Sequence, residues 1–231
     1  MNGFGVRLSW RVLLLAGLMR TGTLFAQKQL DTSRILPPNP PVGLEVLVGT
    51  RYLNTQLTIR KPFTPTSRLA FFNVTISNGS YGNERGQTEF LSQSYICIEL
   101  LKGLSIAPGV VTNYITGFRP TLGLNYVITQ PSWSAVLLPR IDLRDERNVE
   151  LFALVDYKPQ LSERLSGYVR LQGLLNAATH PANHSRSYVF GRLGIGRKPY
   201  TIGLGLNYDN YGPERRQYVS YGLFARVDLF N

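Results

Sequence analysis

The sequence is poor in most of the features that define a soluble class. Cysteine occurs once in 231 residues, at Cys97, which excludes a disulfide framework; its distance from the N-terminus also excludes lipid attachment at a mature N-terminal cysteine. Long apolar runs are missing: Val12–Met19 is closed by Arg20, short of the ~20 residues a spanning helix needs, and Gly, Pro, Asn or a charge interrupts every other run. No stretch holds the i, i+3, i+4, i+7 apolar spacing of a helix. Histidine occurs twice, at His180 and His184, with no acidic ligand at recognisable spacing, so no metal site is expected. Gly203 and Gly205 alternate in an extended run instead of opening a helix, so no phosphate-binding loop and no cofactor is expected. Acidic residues are in deficit, and the net charge is +11. A basic balance suits nucleic acid, anionic lipid or an anionic solute. Nucleic acid is set aside, because the chain reads as exported and shows no aromatic–basic groove or helix motif.

No acidic residue precedes Asp31, and what stands there has the order of an export signal. Arg7 and Arg11 form a basic segment, Val12–Met19 an apolar one, and Leu24-Phe25-Ala26 a cleavage site before Gln27, which predicts a signal peptide over 1–26. Residues 27–41, ending Leu36-Pro-Pro-Asn-Pro-Pro41, read as a proline-rich lead-in with no capacity to pack.

From 42 to 231 the pattern is uniform: segments of alternating character separated by Gly, Pro, Asn, Asp or Ser. In Tyr200–Tyr208, one face carries Tyr200, Ile202, Leu204, Leu206 and Tyr208, and the other Thr201, Gly203, Gly205 and Asn207. Strands are expected at roughly 52–61, 68–78, 89–101, 104–115, 120–129, 133–142, 149–157, 165–176, 187–197, 200–209 and 217–229. Sorting each by its period of two puts Arg60, Glu99, Arg140, Asp142, Glu150, Asp156, Arg170, Arg192, Arg226 and Asp228 on the more polar face. A charge turned to lipid near the midplane costs ~2–4 kcal/mol, so a membrane barrel must segregate charges in this way and line its lumen with them. Phe71, Tyr95, Phe152, Tyr168, Phe190 and Phe224 fall on the same inner parity, which predicts a crowded lumen. Arg140 with Asp142, and Arg226 with Asp228, are same-face neighbours able to cross-link it.

A soluble sandwich would alternate too, with its apolar face inward. The connections favour the barrel, because they fall alternately into two kinds. One kind is mostly short and often carries Lys-Pro (Lys61-Pro62, Lys158-Pro159, Lys198-Pro199). The other is longer and polar: Ser77 to Gln87, Asp142 to Asn148, Ala177 to Ser187 and Asp209 to Arg216. Eleven strands would leave the chain ends on opposite rims, and Gly43–Val48 can supply a twelfth. The expectation is an all-β fold: one antiparallel transmembrane β-barrel of about twelve strands, with ten as the alternative.

On the signal peptide, the Lys-Pro turns, Gly203-Leu-Gly-Leu-Asn-Tyr208 and the amphipathic last strand, residues 43–231 resemble the small outer-membrane β-barrel proteins of Gram-negative bacteria, of the type abundant in Bacteroidota. The resemblance implies a cell outer membrane location, outer-membrane lipid as surroundings, and a last strand read by the barrel-insertion machinery. Ser220, Gly222, Ala225 and Val227 fit the pattern that machinery reads, although Asn231 follows Phe230 where an aromatic would end the chain.

Three functions follow as expectations. The first is non-enzymatic: a porin-like narrow channel or carrier for a small solute, or an envelope structural component. The second is an outer-leaflet lipid-modifying hydrolase or acyltransferase using His184 and Ser187 of the segment 177–187; known outer-membrane enzymes of this kind are similar in placing a His and a Ser near the outer leaflet. Adjacent residues of an extended segment face opposite ways, so only Ser187 or the local geometry can complete such a pair. The third is a secreted soluble β-protein binding an apolar ligand.

Overall fold

The computed structural model describes residues 40–82, 88–144 and 148–230. The signal peptide expected over 1–26, and the lead-in as far as residue 39, lie outside the described residues. Twelve strands follow: β1 Val42–Gly49, β2 Tyr52–Pro62, β3 Leu69–Ser80, β4 Glu89–Leu101, β5 Leu104–Asn113, β6 Gly117–Thr129, β7 Trp133–Asp142, β8 Asn148–Tyr157, β9 Ser166–Thr179, β10 Ala182–Arg197, β11 Tyr200–Tyr211 and β12 Arg216–Leu229. Each pairs antiparallel with its chain neighbours, and β1 closes on β12 from Val42↔Leu229 to Gly49↔Gly222. Closure removes the sheet edges, so every ladder can be satisfied internally, as a lipid-embedded sheet requires. The barrel therefore has the expected twelve strands, with Gly43–Val48 inside the closing one, and ten is excluded.

Both barrel ends of the chain lie at one rim (the terminal rim), together with five connections, three of which carry Lys-Pro; the other six connections, β1–β2 among them, form the loop rim. The expected contrast between short turns and long loops is not what separates them. The segment 177–187 is almost entirely strand, with only His180 and Pro181 between β9 and β10, while residues 158–165 make a long connection at the terminal rim. Polar residues such as Asn176, Asn183 and Asn210 stand near the loop-rim ends of β9, β10 and β11. Their backbone groups still pair across the hairpin, so they do not reverse the chain.

The outer face is apolar over most of the circumference. Leu193, Leu204 and Leu223 form one cross-strand row and are 63%, 62% and 66% exposed. Soluble monomers do not carry continuous apolar surfaces of this extent. No helix of the described residues is long and apolar enough to cross a membrane; the crossing elements are strands. A soluble β-protein needs the apolar faces turned inward, and here they are turned outward.

One strand inverts the rule. Phe71, expected inside, lies on the outer parity, and Phe72 is the buried inner residue, paired opposite Arg60. β3 carries Phe72, Val74 and Ile76 inward and Asn73, Thr75 and Ser77 outward, so taking the polar face as luminal reverses it. The outward polar groups are bonded to one another: Asn73 Nδ2 donates to Ser94 Oγ at 2.8 Å and to Gln93 O at 3.0 Å, and Thr75 Oγ1 lies 2.8 Å from Ser92 Oγ. Mutual bonding lowers the cost of holding them at the lipid face.

Close packing inside depends on missing side chains. A Cβ on Gly203 would stand 2.2 Å from Leu193 O and 2.8 Å from the Phe224 ring, whereas one on Gly191, on the outer parity, would meet nothing within 4 Å. Gly203→Val will therefore destabilise the barrel by about 1–3 kcal/mol through overpacking, and Gly191→Val by much less. Urea unfolding of both variants in the same micelles checks the contrast, and equal effects would contradict it.

Candidate functional site

The lumen is filled by side chains. Its apolar part joins Phe72, Tyr95, Leu138, Phe152, Tyr188 and Phe190, each at most 2% exposed, into one cluster spanning β3 to β10. A second group packs Tyr168 against Phe224, with ring centroids 5.8 Å apart and the rings tilted by 47°, beside Leu47. The remaining interior is polar and cross-linked. Arg140 donates from Nε and Nη2 to Glu150 at 3.0 and 2.7 Å and from Nη1 to Asp142, which also takes Arg119 at 3.2 Å. Arg192 donates to Glu45 at 2.7 Å and to Asn207 at 2.8 Å. Arg170 grips Asp156 bidentately at 2.7 and 2.9 Å, and Arg226 and Lys158 both reach Asp228 at 2.8 Å.

Several links cross the ring. Arg186 Nη1 on β10 donates to Glu89 on β4, the strand opposite, at 2.6 Å, and its Nη2 to Asp209 at 2.8 Å. Gln56 on β2 donates to Gln172 on β9 at 2.7 Å, and Gln93 on β4 to Glu150 on β8 at 2.6 Å. Two vestibules remain, one at each mouth. The loop-rim vestibule, of about 400 Å³, is lined by Glu89, Arg119, Arg140, Asp142, Glu150 and Arg186 among others. The terminal-rim vestibule, of about 260 Å³, is bordered by Pro40 and Pro41 and by Arg60, Asp156, Arg170 and Arg226.

Of the ten charges singled out in the sequence, Arg140, Asp142, Glu150, Arg170, Arg192 and Arg226 are buried. Asp156 and Arg60 line the terminal vestibule, and Asp228 lies in its ion pairs with Arg226 and Lys158. Glu99 accepts the Gly103 N–H at 3.2 Å near the same rim. Sequence reasoning missed five more: Glu45, Glu89, Arg119, Arg186 and Asp209, all at most 9% exposed. Three had a signal: Glu45 shares its parity with Leu47 in a segment otherwise apolar, and Glu89 and Asp209 fall on the polar parity of the strands expected at 89–101 and 200–209. Arg119 and Arg186 stand in segments with the composition of turns.

His184 and Ser187 come together at the loop rim. The β9–β10 register shifts between His184 and Arg186, with His184 opposite Ala177 and Arg186 opposite Asn176. Ser185 is the extra residue of a bulge, and a bulge re-aims side chains. It puts His184 and Ser187, three residues apart, on the same outer face while Arg186 turns into the lumen. His184 Nε2 lies 3.0 Å from Ser187 Oγ, and its Nδ1 lies 2.8 Å from Gly212 O. Among the described residues no group of three His, Cys, Asp or Glu could hold a metal ion.

No family model matches the sequence, and neither does any curated protein. Similar solved structures include the NanC porin in a rhombohedral crystal form, 13% identical over 82% of this chain and 100% of that one, with a TM-score of 0.49. The KdgM porin in complex with disordered oligogalacturonate is 12% identical, covering 81% and 98%, with a TM-score of 0.46. LpxR from Salmonella typhimurium is 8% identical, covering 81% and 99%, with a TM-score of 0.41. Each likeness is one of backbone architecture alone.

Proposed function

We propose that the protein is an outer-membrane barrel of the carrier or narrow-channel type, closed in the conformation described. Lipid surrounds its apolar belt, the loop rim faces outward, and β12 is the strand offered to the insertion machinery. Small polar solutes enter a vestibule at either mouth and pass only when the bridges between the two part. The observation that carries this reading is the Arg186–Glu89 bridge at 2.6 Å, which joins opposite strands across the lumen. The inner charges meet as ion pairs, so the vestibules suit solutes with both donors and acceptors better than simple anions. Excess positive charge outside the strands does not enter this selectivity.

Planar-bilayer recording tests it. The wild-type chain is expected to give no steady steps of a water-filled pore, and a variant combining Arg186→Ala, Gln93→Ala and Gln172→Ala is expected to give them. Steady open-pore conductance in the wild type would overturn the closed-lumen reading.

A further inference from the structure

The outer face of the loop rim holds an arrangement that the lumen does not need. We infer that His184 and Ser187 form a catalytic dyad that cleaves or transfers fatty-acyl esters at the membrane surface. Gly212 O can only accept a hydrogen bond, so the 2.8 Å contact fixes the proton on His184 Nδ1. Nε2 of the neutral ring is then an acceptor, and Ser187 Oγ, 3.0 Å away, donates to it. This is the protonation state in which an imidazole serves as general base for a hydroxyl nucleophile, with a third group orienting the ring.

The pair is built into the backbone. Gly212, at φ 71° in the left-handed region that favours glycine, donates its N–H to Ser185 O at 2.9 Å. The β11–β12 turn is thereby tied to the bulge that aligns the pair, and the same glycine supplies the carbonyl that holds the histidine. Asn210 is the cross-strand partner of Ser187. Its Oδ1 accepts the Tyr208 hydroxyl at 3.3 Å, which leaves the amide nitrogen as a donor for a developing oxyanion.

Location selects the substrate class. Leu175 is the other cross-strand partner of Ser187, and with Val189 and Leu206 it is about half exposed on the outer face. Gly173 and Gly191 share that face; a Cβ at Gly191 would meet open space and one at Gly173 would approach only Tyr188 O, at 3.8 Å. Without side chains, these two positions lower the apolar outer surface beside Val189 and Leu206. An apolar outer surface and a dyad at its polar margin fit an ester of a long-chain fatty acid, with its chain in the hydrocarbon and its carbonyl at the headgroup boundary. Ser187 Oγ attacks the ester carbonyl carbon as its proton passes to His184 Nε2. The carbon–oxygen bond to the alcohol then breaks, and the alcohol oxygen takes that proton. Water, or the hydroxyl of an acceptor, releases the acyl group from Ser187, with His184 accepting its proton and returning it to the serine.

The full chain in detergent micelles is assayed with p-nitrophenyl palmitate and with a long-chain fluorophosphonate. The wild type is expected to turn over the ester and to carry the phosphonyl group on Ser187, located by mass spectrometry. Ser187→Ala and His184→Gln are expected to lower kcat by about 10²–10⁴-fold. Asn210→Leu is expected to lower kcat with little change in KM. Heat-modifiable gel migration verifies that each variant is still a barrel. A wild type that neither hydrolyses the ester nor takes the label overturns the inference, as does a folded Ser187→Ala variant with the wild-type rate. Neither result bears on the closed lumen, which conductance tests separately.

Discussion

Replacing Arg140 with alanine will destabilise the barrel by about 3–5 kcal/mol, the cost of breaking a buried ion pair from one side. Arg140 is 5% exposed and is the cationic partner of two buried carboxylates, Glu150 and Asp142. Without it Glu150 keeps two neutral amide donors, Gln93 at 2.6 Å and Asn176 at 2.9 Å, and Asp142 keeps Arg119 at 3.2 Å. Neither set replaces the bidentate guanidinium contact, so a charge stays under-compensated where water is scarce. Arg140→Lys is expected to fall between, because one ammonium cannot reproduce the fork. A double variant, Arg140→Met with Glu150→Gln, is expected to lose much less than the two single losses together, since it removes both charges. Urea unfolding in lipid vesicles measures the series. An Arg140→Ala variant within about 0.5 kcal/mol of wild type, the range of ordinary surface changes, would show that the network contributes little.

Arg140 also marks how far the sequence could be read. Its same-strand partner Asp142 was visible by parity, but Glu150 on β8 was joined to it only by the strand register, Arg140↔Glu150. Strand positions were legible because lipid outside and packed side chains inside impose a period of two on nearly every strand. The rule failed at β3, where hydrogen bonds among Asn73, Thr75, Ser92 and Ser94 let a polar face turn outward. That compensation depends on β4 lying alongside, so β3 alone cannot reveal it. Arg186 was hidden because its neighbours have the composition of turns, although the hairpin with β11 holds it as strand. The dyad was half legible: both residue types were visible, but alternation by two places His184 and Ser187 on opposite faces. Only the bulge at Ser185, which the ladder with β9 defines, aligns them.

The outward direction of the apolar faces makes the second large effect, and it depends on depth. Leu204→Arg is expected to cost about 2–4 kcal/mol, and Tyr200→Arg about 0–1 kcal/mol, as for midplane and interfacial positions of a membrane barrel. Both side chains are about equally exposed, at 62% and 65%, and both lie on the outer face of β11. They differ in height: Tyr200 begins the strand at the terminal rim, whereas Leu204 sits between the exposed Leu193 and Leu223 in the body of the belt. In water, two equally exposed positions on one strand would accept arginine at similar and small cost. In lipid the mid-belt arginine must snorkel or draw in water, while the rim arginine reaches the headgroups directly. Unfolding of the two variants in vesicles separates these cases, and equal losses would remove lipid as the solvent of the outer face. Arg192 and Arg226, on β10 and β12 to either side of β11, mark the other side of the same wall: 3% and 6% exposed, they hold their charge against Glu45 and Asp228 at 2.7 and 2.8 Å. The wall admits a guanidinium on its inner face because a carboxylate waits there, and rejects one on its outer face because nothing does.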